Sequence, residues 1–132
     1  MSIWSDIQDK SAGVSIRKED LYTFNTSVSP EKLQKMLKSG IVHFQFRKKP
    51  KKGQPEDSGD VRDAWGTKFM DIVNKVPHGG DCPPKNAGYS IYFDLIKEDW
   101  RAFRDDRLIG VCNKVFTDEE FAEIYTNILD LK

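Results

Sequence analysis

The chain has 132 residues, the usual size of one domain, and 38% of them are hydrophobic. It carries 21 basic and 21 acidic residues. This formal net charge of zero argues against general adhesion to nucleic acid, for which a domain pI above about 9 is usual. No apolar run of about 18 residues is present, so the sequence predicts no membrane span.

The cellular compartment is indicated by the start of the chain and by its cysteines. Residues 1–10 lack a basic segment followed by an apolar one, so we expect no secretory signal. Cys82 and Cys112 are isolated thiols, which is typical of a reducing compartment. We therefore expect a cytoplasmic protein.

Residues 1–28 form a predicted N-terminal arm. Ile3, Trp4 and Ile7 lie among polar residues there and are a candidate docking surface for a protein partner. Packing of Trp4 back onto the domain is the alternative. The pattern leaves open whether residues 21–24 form a short strand.

Residues 29–132 form a single predicted domain that begins with a helix over 29–39. Ser29 is suited to cap this helix, and Pro30 is tolerated at its first position because no N–H is needed there. Three apolar side chains line one face at helical spacing, and Gly40 is well placed to end the helix. They are Leu33, Met36 and Leu37.

Period-two alternation then predicts strands. Over 41–48, Val42, Phe44 and Phe46 share one face of a half-buried strand, and His43, Gln45 and Arg47 share the other. A loop rich in Pro, Gly and charge spans 49–60, and a second strand covers 61–67, where Gly66 predicts a bulge or bend. One or two helical turns follow over 68–76, and residues 77–88 form another loop.

A hairpin is predicted over 89–111. Alternation places four side chains on its inner face, residues 97–99 supply a polar turn, and 100–104 run back. The inner residues are Tyr89, Ile91, Phe93 and Leu95. Trp65 and Trp100 are expected in the core, because a small barrel must fill its interior with large side chains.

The last predicted element is a helix over 117–131. Thr117 and Glu120 have the spacing of a capping box, and an apolar stripe from Phe121 to Leu129 predicts one buried face. Its acidic residues are either a docking element or ordinary N-terminal residues that complement the helix dipole. Four or five curved strands between two helices predict an α+β fold: a small SH3-like, or Sm-like, antiparallel β-barrel over 41–111, flanked by a short N-terminal and a C-terminal helix.

These residues also resemble a known family. The segment 99–109, DWRAFRDDRLI, is similar to the R-x-F-R-x-D-R-I ending of WYL domains, which are Sm-like or SH3-like β-barrels. With 62–67, RDAWGT, the similarity extends to small WYL-like proteins of bacteriophages and some bacteria, and it covers roughly 41–111. In place of the Trp-Tyr-Leu triplet the chain has YFDL at 92–95. The resemblance implies regulators that sense ligands or nucleic acid, or that modulate partner enzymes.

Two basic segments are the candidate binding residues for nucleic acid or an anionic partner. Guanidinium groups offer a planar fork of donors suited to phosphate or carboxylate, and lysines in a loop can follow a phosphate backbone. The alternatives are internal ion pairs with nearby Asp and Glu residues, and a solubilising loop. The candidates are Arg47, Lys48, Lys49, Lys51, Lys52, Arg101, Arg104 and Arg107.

The sequence offers little for catalysis. His78 and Cys82 lie in a loop with glycines and prolines, and no paired Cys-x-x-Cys or His-x-x-x-His spacing is present. No phosphate-binding or dinucleotide fingerprint is found either. We therefore expect no enzyme activity, no metal and no cofactor.

Two functions remain after these exclusions. The sequence favours a phage-type accessory protein that docks on and modulates a macromolecular machine, such as RNA polymerase or a host defence enzyme. The alternative is a nucleic-acid-binding module that uses the basic hairpin tip and the arginine edge. The neutral charge, the acidic helix opposite a basic loop and the apolar arm favour docking, and the basic tip and the resemblance favour the alternative.

Overall fold

A computed structural model describes residues 18–55, 58–76 and 80–130 of the chain. The helices are α1 (Lys18–Tyr22), α2 (Pro30–Ser39), α3 (Met70–Val73) and α4 (Asp118–Asp130). The strands are β1 (Phe24–Asn25), β2 (Ile41–Arg47), β3 (Val61–Thr67), β4 (Tyr89–Asp94), β5 (Asp99–Arg104) and β6 (Leu108–Phe116), with a 3₁₀ turn at Asp105–Arg107. None of the helices in these ranges is long and apolar enough to cross a membrane.

Helix α2 begins and ends where the sequence predicts. The Ser29 hydroxyl accepts a hydrogen bond of 3.1 Å from the Lys32 amide, and Pro30 occupies the first turn. Leu33 and Leu37 are fully buried. A side chain at Gly40 would place a Cβ 2.7 Å from the Phe116 carbonyl oxygen, so this position requires glycine because of close packing.

The strands form one antiparallel sheet in the order β1-β6-β2-β3-β4-β5. Strands β2 and β3 pair along their whole length, from Ile41 opposite Thr67 to Arg47 opposite Val61. Strands β3 and β4 pair only at Gly66 opposite Asp94 and at the next position. The described sheet thus has six strands where four or five were expected, and β6 extends the strand region beyond 111 to Phe116.

The face of β2 that was predicted to be apolar is buried. Val42, Phe44 and Phe46 pack in one cluster with Leu33 and Leu37 of α2. This cluster forms one side of the core.

The opposite face of β2 differs from the prediction at His43, which is buried, while Gln45 and Arg47 are half-buried. A second cluster covers that face of the sheet and includes Trp65, Phe116 and Phe121, with Leu21 packed against it. The His43 ring stacks on Trp65 with centroids 4.0 Å apart and an interplanar angle of 7°. Sequence alternation cannot reveal this, because the helices that cover the second face lie far away along the chain.

The environment of His43 fixes its tautomer. The Nδ1 atom lies 2.6 Å from the Leu21 carbonyl oxygen and therefore carries the donated proton. The Cys112 thiol donates to the same oxygen at 3.2 Å. The Nε2 atom is buried and has no hydrogen-bond partner among the residues that the structure describes. Burial lowers the pKa of His43, while the Leu21 carbonyl and the negative charge of Asp63 act in the opposite direction.

Strand β4 is buried on both faces, so the predicted pattern was only partly right. Ile91, Phe93 and Leu95 lie in the core as expected, and Tyr92 is buried on the opposite face. Tyr89 is 41% exposed, which corrects its predicted place on the inner face. Tyr89 is the first residue of β4, and the burial of the strand begins only at the next residue.

Gly66 does not form the predicted bulge. It pairs regularly with Val42 and Asp94, and a Cβ there would lie 2.7 Å from the Tyr92 ring. The glycine is required by this close ring contact. The irregular pairing occurs instead between β2 and β6, where the register shifts twice.

Helix α4 begins with the predicted capping box. The Glu120 amide donates to Thr117 Oγ1 at 3.1 Å, and the Thr117 amide donates to the Glu120 carboxylate at 3.0 Å. Phe121 and Ile124 are buried, and Tyr125 is half-buried. Trp65 and Trp100 are both buried, which confirms their assignment to the core.

Truncation of Phe93 tests the core. Its ring is fully buried and meets Trp100 edge to face at 5.4 Å, so Phe93→Ala should lower the free energy of unfolding by about 3–5 kcal/mol. Urea denaturation measures this change. Val61→Ala, at a position that is 48% exposed, should shift stability by no more than about 0.5 kcal/mol, and equal shifts in the two variants would contradict the assignment.

The pH dependence of stability tests the buried His43. Its folded pKa lies below the unfolded value of 6.5, so below pH 6.5 the unfolded chain binds a proton that the folded chain does not. The free energy of unfolding should therefore decrease as the pH falls from about 6.5 towards the lowered pKa. Urea midpoints between about pH 7.5 and 5.5 should fall less steeply for His43→Gln than for the unchanged chain. If His78→Gln, at the other histidine of the sequence, flattens the profile instead, the prediction is wrong.

Candidate functional site

A basic cleft lies where the end of the β2–β3 hairpin faces the β4–β5 hairpin. Its volume is about 550 Å³. All five arginines of the described ranges line it: Arg47, Arg62, Arg101, Arg104 and Arg107. Lys48 and Lys49 add two more cations, and the described residues that line the cleft include no carboxylate.

The curl of the sheet creates this cleft. Phe46 of β2 and Phe103 of β5 stack with centroids 4.8 Å apart, although two strands separate β2 from β5 in the sheet. Tyr92 lies beside them, 6.3 Å from Phe46 and 6.1 Å from Phe103. These three rings are lining residues of the cleft, so its apolar part is continuous with the core.

Strand register places the arginines around these rings. Arg62 stands opposite Phe46, and Arg101 stands opposite Tyr92. Arg104 stands opposite Tyr89 at the far end of the β4–β5 pair. The cations therefore come from two hairpins that are distant in sequence.

Tyr92 contributes a polar group to the cleft. Burial raises the pKa of its hydroxyl far above 10, and the negative charge of Asp94 adds to this effect. The charges of Arg62 and Arg101 and a hydrogen bond with Arg62 oppose the shift without cancelling it. The phenol is therefore neutral at physiological pH and adds no negative charge to the cleft.

Internal ion pairing, the alternative to recognition, occurs at Arg104. Its Nη2 lies 2.5 Å from Asp106 Oδ2, and its Nε donates to Oδ1 at 3.1 Å. This hydrogen bond from Arg104 is the largest cause that lowers the pKa of the Asp106 carboxyl. Arg47 also has an internal partner, because it donates to the Gly59 carbonyl oxygen at 2.7 Å.

Two other acids near the arginines accept hydrogen bonds from backbone amides or from a hydroxyl group. Asp94 accepts from the amides of Ile96 and Lys97 in the β4–β5 turn, both at 2.9 Å. Asp105 accepts from the Ser90 hydroxyl at 2.5 Å. These carboxylates shape the hairpin.

Two acids at the start of α4 make contacts within the domain. Asp118 pairs with Lys75 at 2.5 Å, and Glu120 pairs with Lys114 at 2.9 Å besides closing the capping box. These contacts agree with the capped-helix interpretation for these two residues, and docking through the acidic helix stays a prediction.

The structure brings six of the eight predicted basic residues into the cleft. Lys51 and Lys52 are exposed in the loop but are not lining residues of this cleft. The predicted docking residues Ile3, Trp4 and Ile7 lie outside the described residues. Arg62 was not among the predicted binding residues, although hairpin pairing of 41–48 with 61–67 would have placed it beside Phe46.

The residue types that bind metals do not cluster in the described ranges. No group of three or more His, Cys, Asp or Glu side chains there could hold a metal ion. The buried pair His43 and Cys112 is 3.9 Å apart, and both donate to the Leu21 carbonyl rather than activating each other.

Comparison with known proteins gives one match. The model of the family described as WYL_2, Sm-like SH3 beta-barrel fold, matches residues 30–109. This range includes α2, which the similarity seen in the sequence did not cover. No curated protein and no solved structure matches. Because the matched range is more than half of the 132 residues, the chain belongs to the WYL_2 family of Sm-like SH3 β-barrels.

Proposed function

We propose that this chain is a non-enzymatic nucleic-acid-binding module whose basic cleft holds the sugar–phosphate backbone. The observation that carries the proposal is the convergence of five arginines and two lysines on one cleft in a chain of zero net charge. Such a cluster, with no lining carboxylate among the described residues, attracts a polyanion locally. Bidentate contacts from guanidinium groups suit phosphate oxygens well.

An exposed aromatic ring favours nucleic acid over an acidic protein as the ligand. Phe46, Tyr92 and Phe103 are buried and form the apolar floor of the cleft, whereas Tyr89 presents an exposed ring at its edge. Proteins that bind nucleic acid without strict sequence preference combine cations along the backbone with aromatic rings next to the bases. A carboxylate-bearing peptide would use the arginines but would have no counterpart for the Tyr89 ring.

Docking on a protein machine, such as RNA polymerase or a host defence enzyme, stays a prediction. Its arguments from the sequence were the neutral net charge, the apolar arm with Ile3, Trp4 and Ile7, and the acidic helix. Asp118 and Glu120 of that helix are engaged in internal pairs, which weakens the last of these arguments. A phage origin, a role in transcription and a cytoplasmic location likewise stay predictions.

Two lysine pairs in one loop test the proposed function. Lys48→Ser with Lys49→Ser removes two lining cations, and Lys51→Ser with Lys52→Ser removes two exposed cations that do not line the cleft. Binding to labelled single- and double-stranded DNA and RNA is measured at about 50 and about 200 mM salt. The unchanged chain should bind, with affinity that falls as salt rises, and the first pair should reduce both the affinity and the salt slope more than the second.

The dependence of affinity on salt allows the two lysine pairs to be compared quantitatively. Each lost phosphate contact should reduce the slope of log K against log salt by about 0.7 for single strands and about 0.9 for duplexes. Equal losses from both pairs would show that loop charge acts without the cleft. Absence of binding at micromolar protein would refute the proposal and make a pull-down from a host lysate the next experiment.

A further inference from the structure

A second basic cleft lies on the other side of Tyr89, between α2, the start of β4 and residues 80–85. Its volume is about 460 Å³. Four lysines line it, and two carboxylates, Glu31 and Asp105, do so as well. The lysines are Lys35, Lys38, Lys68 and Lys85.

Tyr89 connects the two clefts. It is a lining residue of both, and also of a third hollow formed with Gly88, Arg104 and Asp106. Its ring is 41% exposed at the first position of β4, where the amide donates to the Asn86 carbonyl oxygen at 3.1 Å. A rigid strand therefore presents an aromatic ring between two groups of cations.

The lysines of the second cleft are close enough to influence each other. Lys68 donates from Nζ to Gln34 Oε1 at 2.8 Å, and Gln34 in turn donates to the Ile91 carbonyl oxygen at 3.1 Å. Burial is the main cause that lowers the pKa of Lys68, and the charges of Lys38 and Lys85 lower it further. Cys82 opposes this shift. A bound anion would relieve the repulsion among these cations.

We infer that the nucleic acid bound by this chain is a single strand whose backbone passes from the first cleft, across Tyr89, into the second. The inference rests on the proposed function. An exposed ring between two cationic clefts can stack only on a base that is not paired, because paired bases present their edges to a protein and keep their faces inside the duplex. A flexible single strand can follow two concave clefts that meet at a ring more easily than a stiff duplex can.

Removal of lysines from the second cleft tests whether the single strand passes through it. Lys38→Gln with Lys85→Gln removes two exposed lining cations, and Lys32→Gln with Lys52→Gln removes two exposed cations that line neither cleft. The ligand is a labelled single strand of about 15 nucleotides, within the site sizes seen for small barrel domains. The first pair should weaken binding and reduce the salt slope clearly more than the second, which carries the same change in net charge.

Two substitutions of Tyr89 test the stacking. Tyr89→Ala should weaken binding of the single strand about fivefold or more, because stacking on an aromatic ring contributes at least that much. Tyr89→Phe keeps the ring and should stay within about twofold of the unchanged chain. The duplex of the same sequence should bind more weakly than the single strand, and thermal unfolding confirms that each variant is folded.

The outcomes separate this inference from the proposed function. If the lysine pair at 48 and 49 weakens binding but the pair at 38 and 85 behaves like its control, nucleic acid occupies the first cleft alone and the inference is wrong. Equal loss from Tyr89→Phe and Tyr89→Ala, or tighter binding of the duplex, would also overturn it. If neither lining pair weakens binding, the proposed function itself fails.

Discussion

The contact between β2 and β5 is the constraint on which the candidate site depends. Phe46 and Phe103 stack although two strands separate β2 from β5 in the sheet, so the sheet must curl strongly. The limited pairing of β3 with β4, at Gly66 and its neighbour, allows the two hairpins to diverge from one another in the sheet. The curl then brings the end of one hairpin to the face of the other, and it brings their arginines together. A flat sheet of the same strands would spread these cations along its edges.

The same curl explains why two core clusters are needed. Phe44 and Tyr92 pack edge to face at 5.0 Å on one side of the sheet, while Trp65 and Phe121 meet at 5.6 Å on the other. Helix α2 covers the first side, and α4 covers the second. Gly66 lies against the Tyr92 ring, where a side chain would not fit. Sheet curvature, helix packing and a glycine position are therefore parts of one arrangement.

Features governed by local chemistry were predictable from the sequence. Ser29 caps α2, Thr117 and Glu120 form the capping box, and the alternation of β2 places its aromatic residues correctly. Features that depend on distant segments were not predictable. His43 has the alternation of a solvent-facing residue, but Leu21 and Trp65 cover it from two other parts of the chain.

The candidate site, like the fold, was predictable only where it depends on neighbouring residues in the sequence. The basic segments are visible as runs of charge, and six of those residues do line the cleft. Their convergence depends on the curl of the sheet, and so does the inclusion of Arg62, an isolated arginine in a mixed strand. Tyr89 is exposed because the buried part of β4 begins after it, and the alternation of residues within β4 does not predict where burial begins.

The two clefts differ in their surroundings. The first combines five arginines and two lysines with aromatic rings, and the second combines four lysines with two carboxylates. Burial is the main cause that lowers the pKa of Lys68 in the second cleft. The remaining cleft lysines that the structure leaves exposed, Lys35, Lys38 and Lys85, retain access to water. Meanwhile Lys75 and Lys114 are paired with the acids of α4. The zero net charge therefore conceals a local separation, in which Asp118 and Glu120 pair with lysines outside the clefts while five arginines converge on the first cleft.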